Sequence, residues 1–255
     1  MTVFELYTKL TERVPTSLSM SFDGDGFEIC PDKDAEVKRV LISLDVTNDV
    51  IDRAVEGGFD VIVAHHPMLF NGLKEISVLS ADGSRAVKLI KNNISVMTFH
   101  TRLDSVDGGV NDVLAALLGL SNIATVEFNG NQVVRVGELE EEMDASEFAA
   151  MVKERLSCPA VSLAKASGRV KRVALIGGSG GSEMGASNFT GADTFITGEL
   201  KHHEMLSARD IGVNLIVAGH FYTEHPVCDR LSEMIGRILP EAECEVYFSD
   251  RVEVL

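Results

Sequence analysis

The chain has 255 residues, 45% of them hydrophobic and 24% charged, a balance typical of soluble proteins built as one large domain or two small ones. A formal net charge of −16 argues against a broad nucleic-acid surface, which needs a basic stripe. No run approaches the roughly 18–20 apolar residues that span a bilayer, and Cys30, Cys158, Cys228 and Cys244 form no C-x-x-C pair, so neither a disulfide framework nor a cysteine zinc site is expected.

At the N-terminus, "MTVFELYTKL" reads as an amphipathic helix opened by a Thr2/Glu5 capping box and not as a signal peptide, so a cytoplasmic protein is expected. Strands are expected at 37–46, 59–66 and 94–101, each short and rich in β-branched residues. A helix starting near Thr47 and stopped by Gly57-Gly58 fits between the first two, and 108–120 is another helix. A seam near 121–126 follows. The middle stretch 133–166 offers a strand, a helix started by Asp144 with Glu147, and a second strand, with the acidic run 138–142 expected as a solvated loop. Strands at 170–178, 192–199 and 213–221 and a helix at 224–239 complete the chain. Such alternation means α/β layers with largely parallel pairing.

Two stretches are alike. Val37-Lys38-Arg39-Val40 recurs 133 residues later as Val170-Lys171-Arg172-Val173, and Gly58-Phe59-Asp60 matches Gly191-Ala192-Asp193 at the same offset. The next strand of each set runs into His-x-x-x-carboxylate, His100 with Asp104 and His220 with Glu224. The pattern is that of a duplicated α/β unit whose first copy carries an insertion of about a dozen residues. The expected domains are 1–124 and 125–255, with the C-terminal part able to pack back on the first.

Ligand sites in open α/β sheets gather at the carboxyl ends of strands. His65, His66, His100, Asp104, Glu199, His220 and Glu224 all fall at such ends. Imidazole and carboxylate without thiolate suit zinc, iron or manganese, and a carboxylate can bridge two ions about 3.5–4 Å apart. Duplicated units would bring their two clusters to one cleft. The glycine-rich "IGGSGGSEMG" (176–185) lacks the Lys-Ser/Thr of a P-loop and the third glycine of a dinucleotide fingerprint. It reads foremost as a tight strand-to-helix turn, with phosphate support as the other reading.

At "AHHPMLF", "FHTRLDSVDGGVNDVLA", "TFITGELKHHE" and "GHFYTE" the sequence resembles the Nif-three-like (YbgI-like) family, whose members often carry the name GTP cyclohydrolase I type 2 homolog. The match runs nearly the whole chain. The resemblance implies two similar α/β domains around a dinuclear metal site in the interdomain cleft, holding two divalent transition-metal ions (Zn, Fe or Mn). It also implies a homo-oligomer, a hexameric ring. Carried across by position, the metal ligands are His65, His66, Asp104, His220 and Glu224. His100 matches a motif position but is not carried over as a ligand, and Glu199, His202 and His203 fall near the metals. The family's Trp-Asp-Asn segment corresponds here to "SMSFDGDGF", which has neither Trp nor Asn, so a substrate contact there is not carried over.

Two functions follow as expectations. One is a metal-dependent hydrolase of a nucleotide or phosphoester, of the GTP cyclohydrolase kind, with Glu199, His202 and His203 as the catalytic group. The other is a non-enzymatic metal-binding or regulatory protein. Small molecules, not extended nucleic acid or membrane, are the expected partners.

Overall fold

A computed structural model of the chain describes residues 1–254. It separates into two compact units, one formed by Met1–Val106 with Cys228–Arg251 and the other by Asp107–Val227 with the chain end from Val252.

In the first unit, helix α1 (Val3–Arg13) begins at Thr2, whose hydroxyl accepts from the Glu5 amide while the Glu5 carboxylate accepts from the Thr2 amide. Then come β1 (Phe27–Ile29), β2 (Arg39–Ser43), α2 (Asn48–Gly57), β3 (Val61–Ala64), α3 (Ala81–Lys91), β4 (Ser95–Thr98) and α4 (Thr101–Ser105). A five-stranded sheet has the order β1-β4-β3-β2-β11, its last strand being Glu243–Val246 from the C-terminal segment. All neighbours are parallel except the edge strand β1. Every residue of β3 and β4 is buried, as expected of parallel strands covered on both faces. Leu41, Ile62 and Val96 share a core with Val50, Ile51 and Ala54 of α2 and with Leu89 of α3.

The second unit contains α5 (Val110–Leu117), β5 (Ser121–Phe128), β6 (Asn131–Asp144), α6 (Ala145–Arg155), β7 (Ser162–Ala164), β8 (Arg169–Leu175), α7 (Ala186–Thr190), β9 (Thr194–Thr197), α8 (His202–Asp210), β10 (Asn214–Val217) and α9 (His220–Glu224). Its six-stranded sheet runs β5-β6-β8-β9-β10-β7, parallel through β8-β9-β10 and antiparallel at both flanks. Phe148 and Val152 of α6 pack on Val173, Leu175, Ile196 and Ile216 of the sheet.

The stretches that look alike in sequence make the same bonds. The Asp60 carboxylate accepts from the Lys38 and Arg39 amides at 2.7 and 2.8 Å. Asp193, 133 positions on, accepts from the Lys171 and Arg172 amides at 2.9 and 3.0 Å. Gly58 and Gly191 end the preceding helices in left-handed conformation, φ 64° and 69°. The strand pairs Val40↔Val61 and Val173↔Thr194 stand in the same register.

Several expectations are revised. The acidic run 138–142 lies within β6 and not in a loop. Two of its carboxylates pair with basic residues of β8, Glu138 with Arg172 at 2.6 Å and Glu142 with Arg169 at 2.5 Å, and the Lys171 ammonium donates to the Leu139 and Glu140 carbonyls. Residues 121–126 belong to β5, the expected strand 213–221 is shortened to β10 because His220 already opens the turn α9, and the expected helix 224–239 is α10 (Val227–Ile238). β1 and β11 had no counterpart in the sequence pattern. Among the described residues no helix is long and apolar enough to cross a membrane.

Candidate metal centre

In the first unit the chain leaves β3 directly into His65 and His66, and leaves β4 through Phe99 into His100. His65 is fully buried, and its Nδ1 donates to the Phe99 carbonyl at 2.9 Å. His66 Nδ1 bonds Asp45 Oδ1 at 2.8 Å, and His100 Nδ1 lies 3.0 Å from Asp23 Oδ2. Nitrogens of His65, His66 and His100 come within 4.8 Å of one another. The turn α4 places Asp104 so that Oδ1 stands 3.6 Å from His65 Nε2.

The second unit repeats the design with fewer groups. β10 ends at Val217, Gly219 turns the chain at φ 89°, and α9 starts at His220. One helical turn separates His220 from Glu224, so their side chains meet, Nε2 to Oε2 at 3.0 Å. His220 Nδ1 lies 3.2 Å from Glu199 Oε1.

The glycine-rich turn after β8 explains how Glu224 is held. Gly178 has φ 63°, and a Cβ there would stand 2.1 Å from Glu224 Oε1 and 3.1 Å from His220 Nε2. Only glycine lets the backbone pass so close. The Gly177, Gly178 and Gly180 amides donate to the Asn111 side chain (2.7 Å) and to the Thr223 and Thr197 hydroxyls (both 3.0 Å). These three amides are spent within the unit, which favours the structural turn over the phosphate cradle. Thr223 thereby ties α9 to the loop.

One chemical feature unites the four histidines. Each turns Nδ1 toward an oxygen: a backbone carbonyl for His65, and Asp45, Asp23 and Glu199 for His66, His100 and His220. Where a hydrogen bond is made, at His65 and His66, the acceptor assigns the proton to Nδ1 and turns Nε2 toward another partner. This is the arrangement that orients imidazole ligands and raises their basicity. An Nε2 lone pair 3.0 Å from a carboxylate oxygen, as at His220 and Glu224, is reconciled by a shared proton or cation. The donor set therefore fits a divalent transition metal.

Three carboxylates, Asp23, Asp25 and Glu28, brace the backbone around this cluster. Burial opposes ionisation of Asp23, but the His100 imidazole 3.0 Å away and hydrogen bonds from Thr101 (hydroxyl at 2.6 Å, amide at 3.0 Å) outweigh it and hold the carboxyl well below its usual range. Asp25 pairs with the buried Arg102 at 2.7 Å and accepts from the His100 amide at 2.9 Å. Burial pushes the Glu28 carboxyl upward, although the Met68 and Leu69 amides donate to it.

Within the first unit, then, His65, His66 and Asp104 come together with His100, which the resemblance had left out. Within the second, His220 and Glu224 come together with Glu199. Glu199 also lines a cavity of ≈ 440 Å³ with Ser179, Ser182, Lys201 and Glu204. His202 and His203 are exposed on the first turn of α8. Sequence reasoning missed Asp45 and Asp23 as partners of histidine. Asp45 was within reach, since it follows the first parallel strand where ligand-site groups collect. Asp23 sits in an irregular segment with no periodic signal.

The sequence model of Duf34/NIF3 (NGG1p interacting factor 3) matches residues 1–253. The chain belongs to the Duf34/NIF3 family. Its relatives include a Clostridium perfringens protein named "GTP cyclohydrolase 1 type 2 homolog", 31% identical over 240 residues that cover 92% of this chain and 91% of that protein. A Clostridium acetobutylicum protein of the same name is 33% identical over 230 residues, covering 88% and 85%. Among solved structures of the family's fold, a Staphylococcus aureus protein superposes with a TM-score of 0.90 at 29% identity, over 100% of this chain and 99% of that one. The mixed α/β fold with two sheets is thus a family property.

Proposed function

We propose that this member of the Duf34/NIF3 family is a dinuclear metal-dependent hydrolase acting on a nucleotide or phosphoester. The observation that carries this reading is that His65, His66 and His220 each turn Nδ1 to a supporting oxygen, at 2.9, 2.8 and 3.2 Å, with Nε2 on the side of a carboxylate or a second imidazole. His65, His66 and Asp104 would form one half of the ligand set, and His220 and Glu224 the other. A pair of side chains such as His220 and Glu224 is short of the four donors a zinc-like ion takes, so the second half needs the first. The matched bonds of Asp60 and Asp193 support a duplicated unit.

Bound there, divalent ions would supply Lewis acidity and acidify a water. The chain's own residues do the rest. Asp45, Glu199 and the Phe99 carbonyl hold the imidazoles in one tautomer. Glu199, at the wall of a cavity of substrate size, is placed to orient His220 and to exchange a proton with a ligand. His202 and His203 would reach substrate from the exposed turn of α8. The relatives' name suggests purine ring opening, and phosphoester hydrolysis uses the same groups. Assembly as a hexameric ring is part of the same reading, drawn from the resemblance.

The test is elemental analysis of protein purified without chelator, followed by a screen of zinc-, iron- and manganese-loaded samples against nucleotides and phosphoesters. Two ions per chain with turnover is the expected result. Two ions with no turnover would favour the metal-binding, regulatory reading, and metal content near zero after loading would end both.

A further inference from the structure

Two phenylalanines beside the histidines of the first unit are placed against the hydrophobic effect. Phe22 is 63% exposed and Phe70 50% exposed. Their rings touch edge to face with centroids 6.4 Å apart, and the Phe70 ring meets the His100 imidazole at 6.1 Å and 83°. A single exposed aromatic needs no explanation. Two in contact, one of them against His100 of the histidine cluster, form an apolar surface at the edge of the site.

Both rings are held on anchored backbone. Phe22 adjoins Asp23, whose carboxylate is bonded to the Thr101 amide and hydroxyl. Phe70 follows Met68 and Leu69, whose amides donate to the two Glu28 oxygens at 2.9 and 2.8 Å. The Asp23 and Glu28 carboxylates thus pin both segments while the rings stay open to solvent. Rigid exposed aromatic faces have a general use, the stacking of planar heteroaromatic rings.

We propose that Phe22 and Phe70 form a stacking shelf for a nucleobase, which makes the substrate class nucleotide-like and not that of simple phosphoesters. The inference rests on reading the adjacent histidines as a metal centre. With the base on the shelf, the sugar and phosphate extend toward His100 and its neighbours.

The experiment is calorimetric binding of GMP, AMP and ribose 5-phosphate to the zinc-loaded full chain and its variants. Phe70→Ala should weaken GMP and AMP on the order of 5- to 150-fold, the range for loss of one base–aromatic stack. Ribose 5-phosphate affinity and zinc content should stay unchanged, and Phe70→Tyr should bind the nucleotides as wild type does. Phe189→Ala serves as control, because Phe189 is also exposed and paired with an aromatic, Phe128, but belongs to the other unit. Equal affinity of the wild type for GMP and ribose 5-phosphate would overturn the shelf, as would undiminished GMP binding by Phe70→Ala. So would a change in assembly state on light scattering of Phe70→Ala, which would make the patch a contact between copies. GMP binding that depends on Phe70 in wild-type protein that takes up none of zinc, iron or manganese would sustain the shelf and defeat the metal reading, so the two fail separately.

Discussion

Replacing Gly178 by alanine probes whether the glycine-rich turn exists to let the backbone pass Glu224. Two costs add. Holding an L-residue in the left-handed region at φ 63° costs roughly 1–2 kcal/mol. The new methyl would also lie 2.1 Å from Glu224 Oε1 and 3.0 Å from its Cδ, a clash of the overpacking kind that costs typically ~1–3 kcal/mol. Glu224 is only 5% exposed and has little room to give. The expected loss is therefore about 2–5 kcal/mol, with zinc affinity falling at least the roughly 10- to 100-fold seen when a ligand's support is removed. Gly191→Ala is the internal control. It has the same backbone sign, φ 69°, but a Cβ there meets nothing within 4 Å, so it should show only the conformational cost and normal zinc binding. Urea unfolding by far-UV circular dichroism measures the first quantity, and competition with a chromophoric chelator the second. If the two variants lose equal stability and both bind zinc as wild type does, the turn is not shaped by Glu224 and the reasoning fails.

Three further outcomes are expected. Glu224→Gln should lose most of its metal on elemental analysis, because an amide has no negative charge and one fewer good donor oxygen, whereas His203→Ala should retain metal while turnover falls on the order of 100- to 10,000-fold. Asp45→Ala should lower zinc affinity on the order of 10- to 100-fold by freeing the His66 ring, with helix content unchanged on circular dichroism. At Asp144 the Lys165 ammonium and the Ser146 amide hold the carboxyl down at about 2. Its folded value lies below its unfolded one, so the stabilisation it contributes is full above about pH 4 and fades as pH falls toward 2. The urea midpoint of Asp144→Ala should trail wild type at pH 7, and the gap should close toward pH 2.5.

The local pattern determined a good deal by itself. β-branched runs bounded by glycine marked the parallel strands, because a strand buried on both faces must be apolar throughout. Thr2 with Glu5, Thr47 and Asp144 marked helix starts, because a short side-chain oxygen is what the first free amides accept. Histidines and carboxylates at strand ends marked the site, since the sheet exposes that edge to ligands. What the sequence could not carry were the pairings that depend on distant backbone. The acidic run 138–142 looked like a loop until β8 set Arg169, Lys171 and Arg172 against it. Strand β11 joins β2 from 204 positions away, Glu243 against Arg39, and no local periodicity encodes such a partner. Asp23 and Asp45 are ordinary acidic residues until folding places them on imidazole nitrogens. Gly178 looked like a loop residue, and only tertiary packing shows that the space its missing side chain leaves is filled by the carboxylate of Glu224. Residue type and spacing say which groups are able to bind a metal, but orientation comes from contacts between segments far apart in the chain.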